Sequence, residues 1–199
     1  MREVLERKGA IQSGHFLLSS GRHSDLFVQK FRVLEHPHLT QRFGESIADA
    51  FDRAFDVVAA PAVGAIVLGF ATALAADARF VFAERDAERL ALRRGFTVAP
   101  DERVLVVEDV ITTGGSAREV VELVRATGAT PVGVGALIDR GDAARAELGA
   151  PLRALLELRT TSWAPEECPL CKTDQPLTDP GSRRLASSSP GHQKPPASR

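Results

Sequence analysis

Short apolar runs alternate along the chain with stretches of helical periodicity. The runs contain mainly Val, Ala, Leu and Phe with little polar alternation, which is typical of strands buried on both faces of a parallel sheet. They are residues 57–60, 79–82, 103–107, 131–138 and 152–158. Apolar residues recur at helical spacing within residues 36–54, 65–76 and 117–124. This order predicts an α/β fold with a doubly wound, mainly parallel sheet and a crevice at the carboxyl ends of the strands.

The N-terminal part follows a different pattern. Residues 1–8 predict a short helix that ends at Gly9. Residues 14–30 alternate hydrophobic and polar positions around Ser20-Gly21, which predicts a β-hairpin. We therefore expect a small substructure from the N-terminus beside the main sheet.

The stretch with the most specific chemistry is residues 103–116. Glu108 and Asp109 stand at the predicted end of a buried strand, and the loop Thr112-Thr113-Gly114-Gly115-Ser116 leads directly into a helix. Free amides of such a loop and the positive end of the helix dipole suit a phosphate. The acidic pair can accept hydrogen bonds from sugar hydroxyls, so the implied ligand is a ribose phosphate. The chain has neither GxGxxG after a strand nor GxxxxGK[ST], which argues against a dinucleotide-binding motif and a P-loop. The alternative interpretation is an ordinary strand-turn-helix with a solvated acidic turn.

Residues 104–116, VLVVEDVITTGGS, resemble the motif with which phosphoribosyltransferases bind phosphoribosyl pyrophosphate (PRPP). The resemblance implies a phosphoribosyltransferase domain over residues 1–172, with a hood formed by residues 1–35. It also implies that Glu108 and Asp109 are catalytic residues that bind the ribose hydroxyls. The complete PRPP-binding set from this motif is Glu108, Asp109, Val110, Ile111, Thr112, Thr113, Gly114, Gly115 and Ser116. Residues 61–65, PAVGA, resemble the pyrophosphate loop of the same family.

Within this family, the predicted hairpin and the end of the strand at residues 131–138 resemble the orotate phosphoribosyltransferases in particular. Their hood contains an F-x-L-x-S-G-x-x-S segment similar to residues 16–24 here, although Ser19 stands where the family often has a basic residue. The resemblance implies that Thr112, Arg140 and Phe27 bind orotate, with Arg140 taking its carboxylate. Alternatively, Phe27 is plain hydrophobic core of the hairpin, and Arg140 pairs with Asp139 at a strand end.

The charged interval 84–94 allows two interpretations. Arginines four residues apart among acids are typical of a solvated helix with ion pairs. The family instead has here a mobile loop that closes over PRPP, often from a neighbouring subunit. That resemblance implies a catalytic and PRPP-binding role for Arg85, with Arg89 a weaker candidate. The Lys and His that many orotate enzymes carry in this loop have no counterpart.

Charge and composition exclude several classes of protein. The formal net charge is −1, and no basic patch is evident, so we expect no nucleic-acid partner. The N-terminus lacks a secretion signal pattern, which favours a cytoplasmic protein. Residues 57–76 are uncharged and long enough for a membrane span, but Pro61 and Gly64 favour a strand, a turn and a core helix. We therefore expect no membrane partner.

The C-terminal part contains one CxxC motif and a low-complexity tail. Cys168 and Cys171 supply half of a four-ligand zinc site, so we assign no metal ligands and expect reduced, inert thiols unless two chains share a site. Residues 173–199 are rich in Pro and Ser, which predicts a disordered tail.

The resemblance implies transfer of the phosphoribosyl group of PRPP to orotate, which gives orotidine 5′-monophosphate and pyrophosphate in pyrimidine (UMP) biosynthesis. It further implies Mg²⁺ as the cofactor and a homodimer. Two alternatives stay open at this stage. One is a phosphoribosyltransferase for another base, such as uracil or a purine, and the other is a PRPP-sensing regulator that has lost the chemistry.

Overall fold

The computed structural model of the chain describes residues 1–18, 20–87, 89–141 and 147–180. In chain order the elements are α1 (Arg2–Arg7), β1 (Ile11–Leu17), β2 (His23–Val28), α2 (Phe31–Leu34), α3 (Pro37–Ala50), β3 (Val57–Pro61), α4 (Ile66–Ala76), β4 (Arg79–Asp86), β5 (Arg89–Leu92), β6 (Arg103–Ile111), α5 (Gly115–Ala126), β7 (Thr130–Asp139), β8 (Leu152–Glu157), β9 (Ser162–Trp163) and α6 (Pro169–Lys172). A 3-10 turn covers Pro165–Glu167.

The main sheet has six strands in the order β5-β4-β3-β6-β7-β8. The neighbouring strands β4, β3, β6, β7 and β8 run parallel to one another. The edge strand β5 of this sheet pairs antiparallel with β4. The predicted doubly wound, mainly parallel α/β fold is therefore confirmed. Because the order reverses between β3 and β6, the crevice beyond the carboxyl ends of these strands is the expected ligand site.

The core lies against the two central strands. Every residue of β3 is buried, and β6 is buried from Val104 to Asp109. Helix α5 contributes Ala117, Val120, Val121 and Val124 at helical spacing, all at most 2% exposed. Burial of a side chain the size of Val stabilises a fold by about 2 kcal/mol, so this face fixes α5, and the loop before it, on the sheet.

Two helices on the same layer approach each other closely at a glycine. A Cβ atom on Gly44 of α3 would lie 2.5 Å from the backbone carbon of Ala71 in α4. Only a hydrogen at this position permits the observed contact. The close packing of α3 on α4 therefore depends on Gly44.

Several predicted boundaries differ from the structure. Strand β6 continues to Ile111, because its pairing with β7 extends to Ile111 opposite Asp139. The helix interpretation of residues 84–94 is wrong: β4 and β5 form an antiparallel hairpin, and Ala83, Leu90 and Leu92 pack in or against the core. Helix α3 ends at Ala50, earlier than the predicted end near residue 56. The sequence also predicts a short helix over residues 143–148, and this stretch lies largely outside the described residues.

The chain divides into two compact units. The first comprises Met1–Gln12 and Val28–Thr160, and the second Ser13–Phe27 and Thr161–Arg199. The hairpin predicted as part of a hood thus forms a unit with the C-terminal segment. A three-stranded sheet in the order β1-β2-β9 connects the hairpin to this segment. Among the described residues, no helix is both long and apolar enough to cross a membrane.

Part of the predicted tail makes specific contacts within this second unit. Thr178 forms a parallel bridge with Phe16, and the carbonyl oxygen of Gln175 lies 2.8 Å from Nδ1 of His15. Residues 181–199 lie outside the described residues, so the disorder predicted for them stays a prediction.

Candidate active site

A pocket of about 220 Å³ opens where β6 gives way to α5. The loop between them turns at Gly114, whose φ of 77° lies in the left-handed region that favours glycine. The backbone amides of the first turn of α5 and the positive end of its dipole face this loop, which is the arrangement that binds phosphate. The pocket is lined by Glu108, Val110, Ile111, Thr112, Thr113, Gly114, Gly115, Ser116 and Glu119. The structure thus brings together nearly the whole predicted PRPP-binding motif.

Glu108 provides the buried carboxyl group of the pocket. It is 9% exposed, and its Oε1 accepts a hydrogen bond of 3.0 Å from the backbone N–H of Asp109. Burial, and secondly the neighbouring charge of Asp109, raise the pKa of Glu108 from 4.5 to about 8. This raised pKa favours the protonated form of Glu108 at neutral pH.

Asp109 faces a different environment from Glu108, because successive side chains of a strand point to opposite faces. Its Oδ1 accepts a 2.6 Å hydrogen bond from the N–H of Val110, and its Oδ2 lies 2.6 Å from Nζ of Lys30. The ammonium group approaches at ion-pair distance but outside hydrogen-bond geometry, so Oδ2 accepts no hydrogen bond from the described residues. Asp109 does not line the pocket beside Glu108, and its role as a ribose ligand stays a prediction.

Gly64 provides the space for this ion pair. A Cβ atom at Gly64 would lie 2.0 Å from Oδ2 of Asp109 and 2.8 Å from Nζ of Lys30. The predicted pyrophosphate loop therefore lies directly over the Lys30–Asp109 pair. Its Ala62–Val63 peptide bond is cis, and the N–H of Ala62 donates to the carbonyl of Ala83 on β4.

Lys30 is the functional candidate that the sequence analysis missed. It lies just after the hairpin, far in sequence from the acidic pair, and no motif marks it. One signal was present: Lys30 is the only lysine between residues 9 and 171. Lys30 thus supplies a cation beside Asp109 from a part of the chain outside the charged interval 84–94.

Arg85 contacts Glu119, a side chain that lines the pocket. Its Nη1 lies 2.8 and 3.1 Å from the two carboxylate oxygens of Glu119, which lines the pocket. Glu119 also accepts a hydrogen bond from the backbone N–H of Leu90 on β5. The β4–β5 hairpin is thus fixed to the start of α5. Arg89 begins β5 and is exposed.

Arg140 follows β7 and lies next to the motif. Its backbone N–H donates to the carbonyl of Ile111 at 3.0 Å, and its guanidinium donates to Oγ1 of Thr160 at 2.5 and 3.1 Å. Phe27 belongs to the second unit, where its ring packs on Phe16 with centroids 5.6 Å apart. This contact agrees with the core interpretation of Phe27, and the predicted orotate contacts of Phe27 and Arg140 stay predictions.

The comparisons with known proteins agree with this geometry. Residues 32–170 match the model of the phosphoribosyl transferase domain. The chain therefore belongs to the phosphoribosyltransferase family, whose fold the six-stranded sheet and the pocket loop display.

Two similar relatives within this family are orotate phosphoribosyltransferases. The one from Caldanaerobacter subterraneus subsp. tengcongensis is 45% identical over 184 residues, which cover 92% of this chain and 96% of the relative. The one from Thermotoga maritima is 46% identical over 187 residues, covering 93% and 99%. Among solved structures, the crystal structure of the Aeropyrum pernix orotate phosphoribosyltransferase has a TM-score of 0.69 at 25% identity, covering 79% of this chain and 93% of that chain.

Proposed function

We propose that this chain is an orotate phosphoribosyltransferase, which transfers the phosphoribosyl group of PRPP to orotate in pyrimidine biosynthesis. The observation that carries the proposal is the Thr/Gly pocket at the start of α5 with Glu108 in its wall, in a chain 45% identical to orotate phosphoribosyltransferases over 92% of its length. The reaction breaks the bond from the anomeric carbon to the pyrophosphate oxygen. A bond from the same carbon to a ring nitrogen of orotate replaces it, and the proton that this nitrogen loses passes to the released pyrophosphate or to water.

The loop of residues 112–116 would hold the 5′-phosphate. Thr112, Thr113 and Ser116 are exposed at the pocket and present hydroxyl groups beside the free amides of α5. Hydrogen bonds from amides to a phosphate are charge-assisted and therefore strong. A phosphate at this position also benefits from the positive end of the helix dipole. The loop would position the ribose without contributing to bond cleavage itself.

The carboxyl groups would manage the charge that develops on the ribose. Displacement at the anomeric carbon passes through a cationic, oxocarbenium-like centre, which a nearby carboxylate stabilises. Burial raises the pKa of Glu108 and favours its protonated form, and the approach of cationic groups would lower this pKa and favour the charged form. Lys30 would hold Asp109 in its ionised form and present a cation near the pyrophosphate loop.

The donor atoms at the pocket suit Mg²⁺ as the cofactor. They are the carboxyl oxygens of Glu108 and the hydroxyl oxygens of the loop, and Mg²⁺ prefers oxygen ligands while it keeps much of its coordination for phosphates and water. When bound with PRPP, the ion would neutralise the leaving pyrophosphate. Arg85 would add a further cation from the β4–β5 hairpin.

Arg140 would select the base. Its backbone hydrogen bond to Ile111 places it at the edge of the motif, where a guanidinium can form two parallel hydrogen bonds with the orotate carboxylate. A phosphoribosyltransferase for uracil or adenine has no carboxylate to bind. The base assignment therefore depends on Arg140 more than on the pocket itself.

An exposed apolar strip supports the proposal of a homodimer. Val67, Phe70 and Leu74 lie on one face of α4 and are 46%, 57% and 65% exposed, and Val63 just before the helix is 74% exposed. Contiguous apolar surface of this kind marks protein–protein contacts. We place this strip at the interface between the two subunits of the homodimer. We also expect the enzyme in the cytoplasm.

One assay separates the proposed function from its alternatives. The purified chain is incubated with PRPP, Mg²⁺ and orotate, uracil or adenine in parallel, and pyrophosphate release is followed. We expect turnover with orotate alone, a large loss in Glu108→Gln, and no change in Glu122→Gln, an exposed carboxylate on the same helix as Glu119. Turnover with another base would overturn the orotate assignment, and PRPP binding without any turnover would favour the regulator.

A further inference from the structure

Two histidines and two cysteines that are far apart in the sequence meet in the second unit. The ligand atoms of His15, His23, Cys168 and Cys171, here called the His/Cys cluster, all lie within 4.8 Å of one another. His15 and His23 come from the neighbouring strands β1 and β2, while both cysteines come from the segment around α6. The phosphoribosyl pocket uses none of these residues. We propose that the His/Cys cluster binds one structural zinc ion.

The distances fit a single tetrahedral ion. With zinc–sulfur bonds of about 2.3 Å and zinc–nitrogen bonds of about 2.0 Å, neighbouring ligand atoms should be about 3.3 to 3.8 Å apart. Nε2 of His15 lies 3.0 Å from Nδ1 of His23 and 3.4 Å from Sγ of Cys168. Sγ of Cys171 lies 3.7 Å and 3.3 Å from the same two nitrogens. These four distances lie within about 0.4 Å of the tetrahedral values. The two remaining pairs, from Sγ of Cys168 to His23 and to Cys171, lie within 4.8 Å and would close around the ion.

A hydrogen bond outside the cluster orients His15 as a metal ligand. Its Nδ1 lies 2.8 Å from the carbonyl oxygen of Gln175, which can only accept, so Nδ1 carries the proton. In the neutral imidazole, Nε2 then has a free lone pair, and this atom points at the other three ligands. Histidines that bind metals commonly donate their second ring N–H to a carbonyl in this way.

The chemistry of the ligands selects the metal. Two thiolates and two imidazoles in a tetrahedral arrangement are typical of structural zinc sites. A two-iron cluster with the same ligands would place histidines and cysteines on different irons. The common 4.8 Å limit on all four ligand atoms instead brings them around one ion.

The second unit needs such a link, because its C-terminal segment has little core of its own. Between residues 161 and 180, Cys168 is the only fully buried residue. The strand β9 has two residues, and α6 has four. Small substructures that cannot bury enough apolar surface are commonly stabilised by a metal. The zinc ion would join the C-terminal segment to the hairpin across more than 140 residues of sequence, as the separations of 148 and 156 residues between Cys171 and the two histidines indicate.

The test measures metal content and coordination in the full-length protein. We expect about one equivalent of zinc by mass spectrometry of the purified chain, and an X-ray absorption spectrum at the zinc edge with two sulfur and two nitrogen neighbours. Cobalt added to chelator-treated protein should give the visible bands of a tetrahedral thiolate site. Cys171→Ser and His23→Ala should each lose the metal. His38→Ala, which changes an exposed histidine on α3, should retain it.

A second measurement keeps the proposal testable if a variant fails to fold. Removal of zinc from the unmodified protein by a chelator should lower its melting temperature by about 5 °C or more, and zinc should restore it. Proteolysis within residues 161–180 should become about tenfold faster in the same step. These readouts do not depend on phosphoribosyl transfer, so a failure of the proposed function would leave them unaffected.

Several outcomes overturn the proposal. Folded protein that contains no zinc and gives no tetrahedral cobalt bands excludes the site. Zinc retained at full occupancy by both Cys171→Ser and His23→Ala would assign the metal elsewhere. A Cys168–Cys171 disulfide in folded protein purified under reducing conditions would leave no thiolates for zinc and would overturn the site.

Discussion

Replacement of Glu108, the buried acid of the pocket, should show separately how its ionisation affects the stability of the fold and how its carboxylate contributes to ligand binding. Glu108 has a pKa raised from 4.5 to about 8, chiefly by burial. A raised pKa in the folded state means that folding favours the protonated carboxyl group. The stabilising contribution of this proton is complete below pH 4.5 and is lost as the pH rises toward 8.

The size of the effect follows from the shift. At about 1.4 kcal/mol per unit, the full difference corresponds to about 5 kcal/mol once the group is ionised in both states. Because Glu108 and Asp109 interact and Lys30 lies nearby, we expect a smaller net value, about 3 kcal/mol. Glu108→Gln keeps the shape and the acceptor for the Asp109 N–H but cannot ionise. The variant should match the parent near pH 5 and exceed its stability by about 3 kcal/mol at pH 9.

Urea unfolding of both proteins at pH 5, 7 and 9 measures this difference. Subtraction of the variant from the parent cancels the titration of all other groups, and Glu122→Gln serves as the exposed control with no expected trend. The same Glu108→Gln protein should bind PRPP at least about tenfold more weakly by calorimetry, since it lacks the carboxylate that forms when the ligand arrives. A stability difference that is independent of pH, or that favours the parent at pH 9, would refute the assignment of a protonated Glu108.

The remaining predictions concern the contacts around the pocket and the C-terminal segment. Lys30→Ala should destabilise the fold by about 2 kcal/mol, because it leaves the 4%-exposed Asp109 carboxylate without its cation, whereas Arg32→Ala should have little effect in the same urea titration. Gly64→Ala should weaken PRPP binding at least about tenfold, since the new Cβ meets Asp109 Oδ2; unchanged calorimetric affinity would contradict the close approach. Arg140→Ala should raise the KM for orotate about 30-fold with little change in the KM for PRPP, as expected from loss of a charge-assisted contact worth about 2 kcal/mol. Truncation at residue 180 should leave the melting temperature unchanged, while truncation at residue 172 should lower it, because Gln175 and Thr178 contact the hairpin.

Much of the first unit could be read from local sequence. A buried parallel strand requires apolar residues on both faces, so residues 103–107 and 131–138 were recognisable by composition alone. The pocket loop was recognisable for a similar reason: its glycines, hydroxyls and acids occupy one continuous segment. The β4–β5 hairpin was not, because alternating charge pairs suit a solvated helix and an exposed strand equally well.

The sequence by itself determined the α/β fold, the phosphate-binding loop and the family resemblance, since each depends on residues that are neighbours in the chain. Only the tertiary structure placed Lys30 against Asp109 over Gly64, and only it joined His15 and His23 to the CxxC motif. These contacts link residues separated by tens to more than a hundred positions, and no periodicity connects them. The packing of the sheet and the pairing of the hairpin with β9 decide such contacts, because they determine which distant side chains share one small volume.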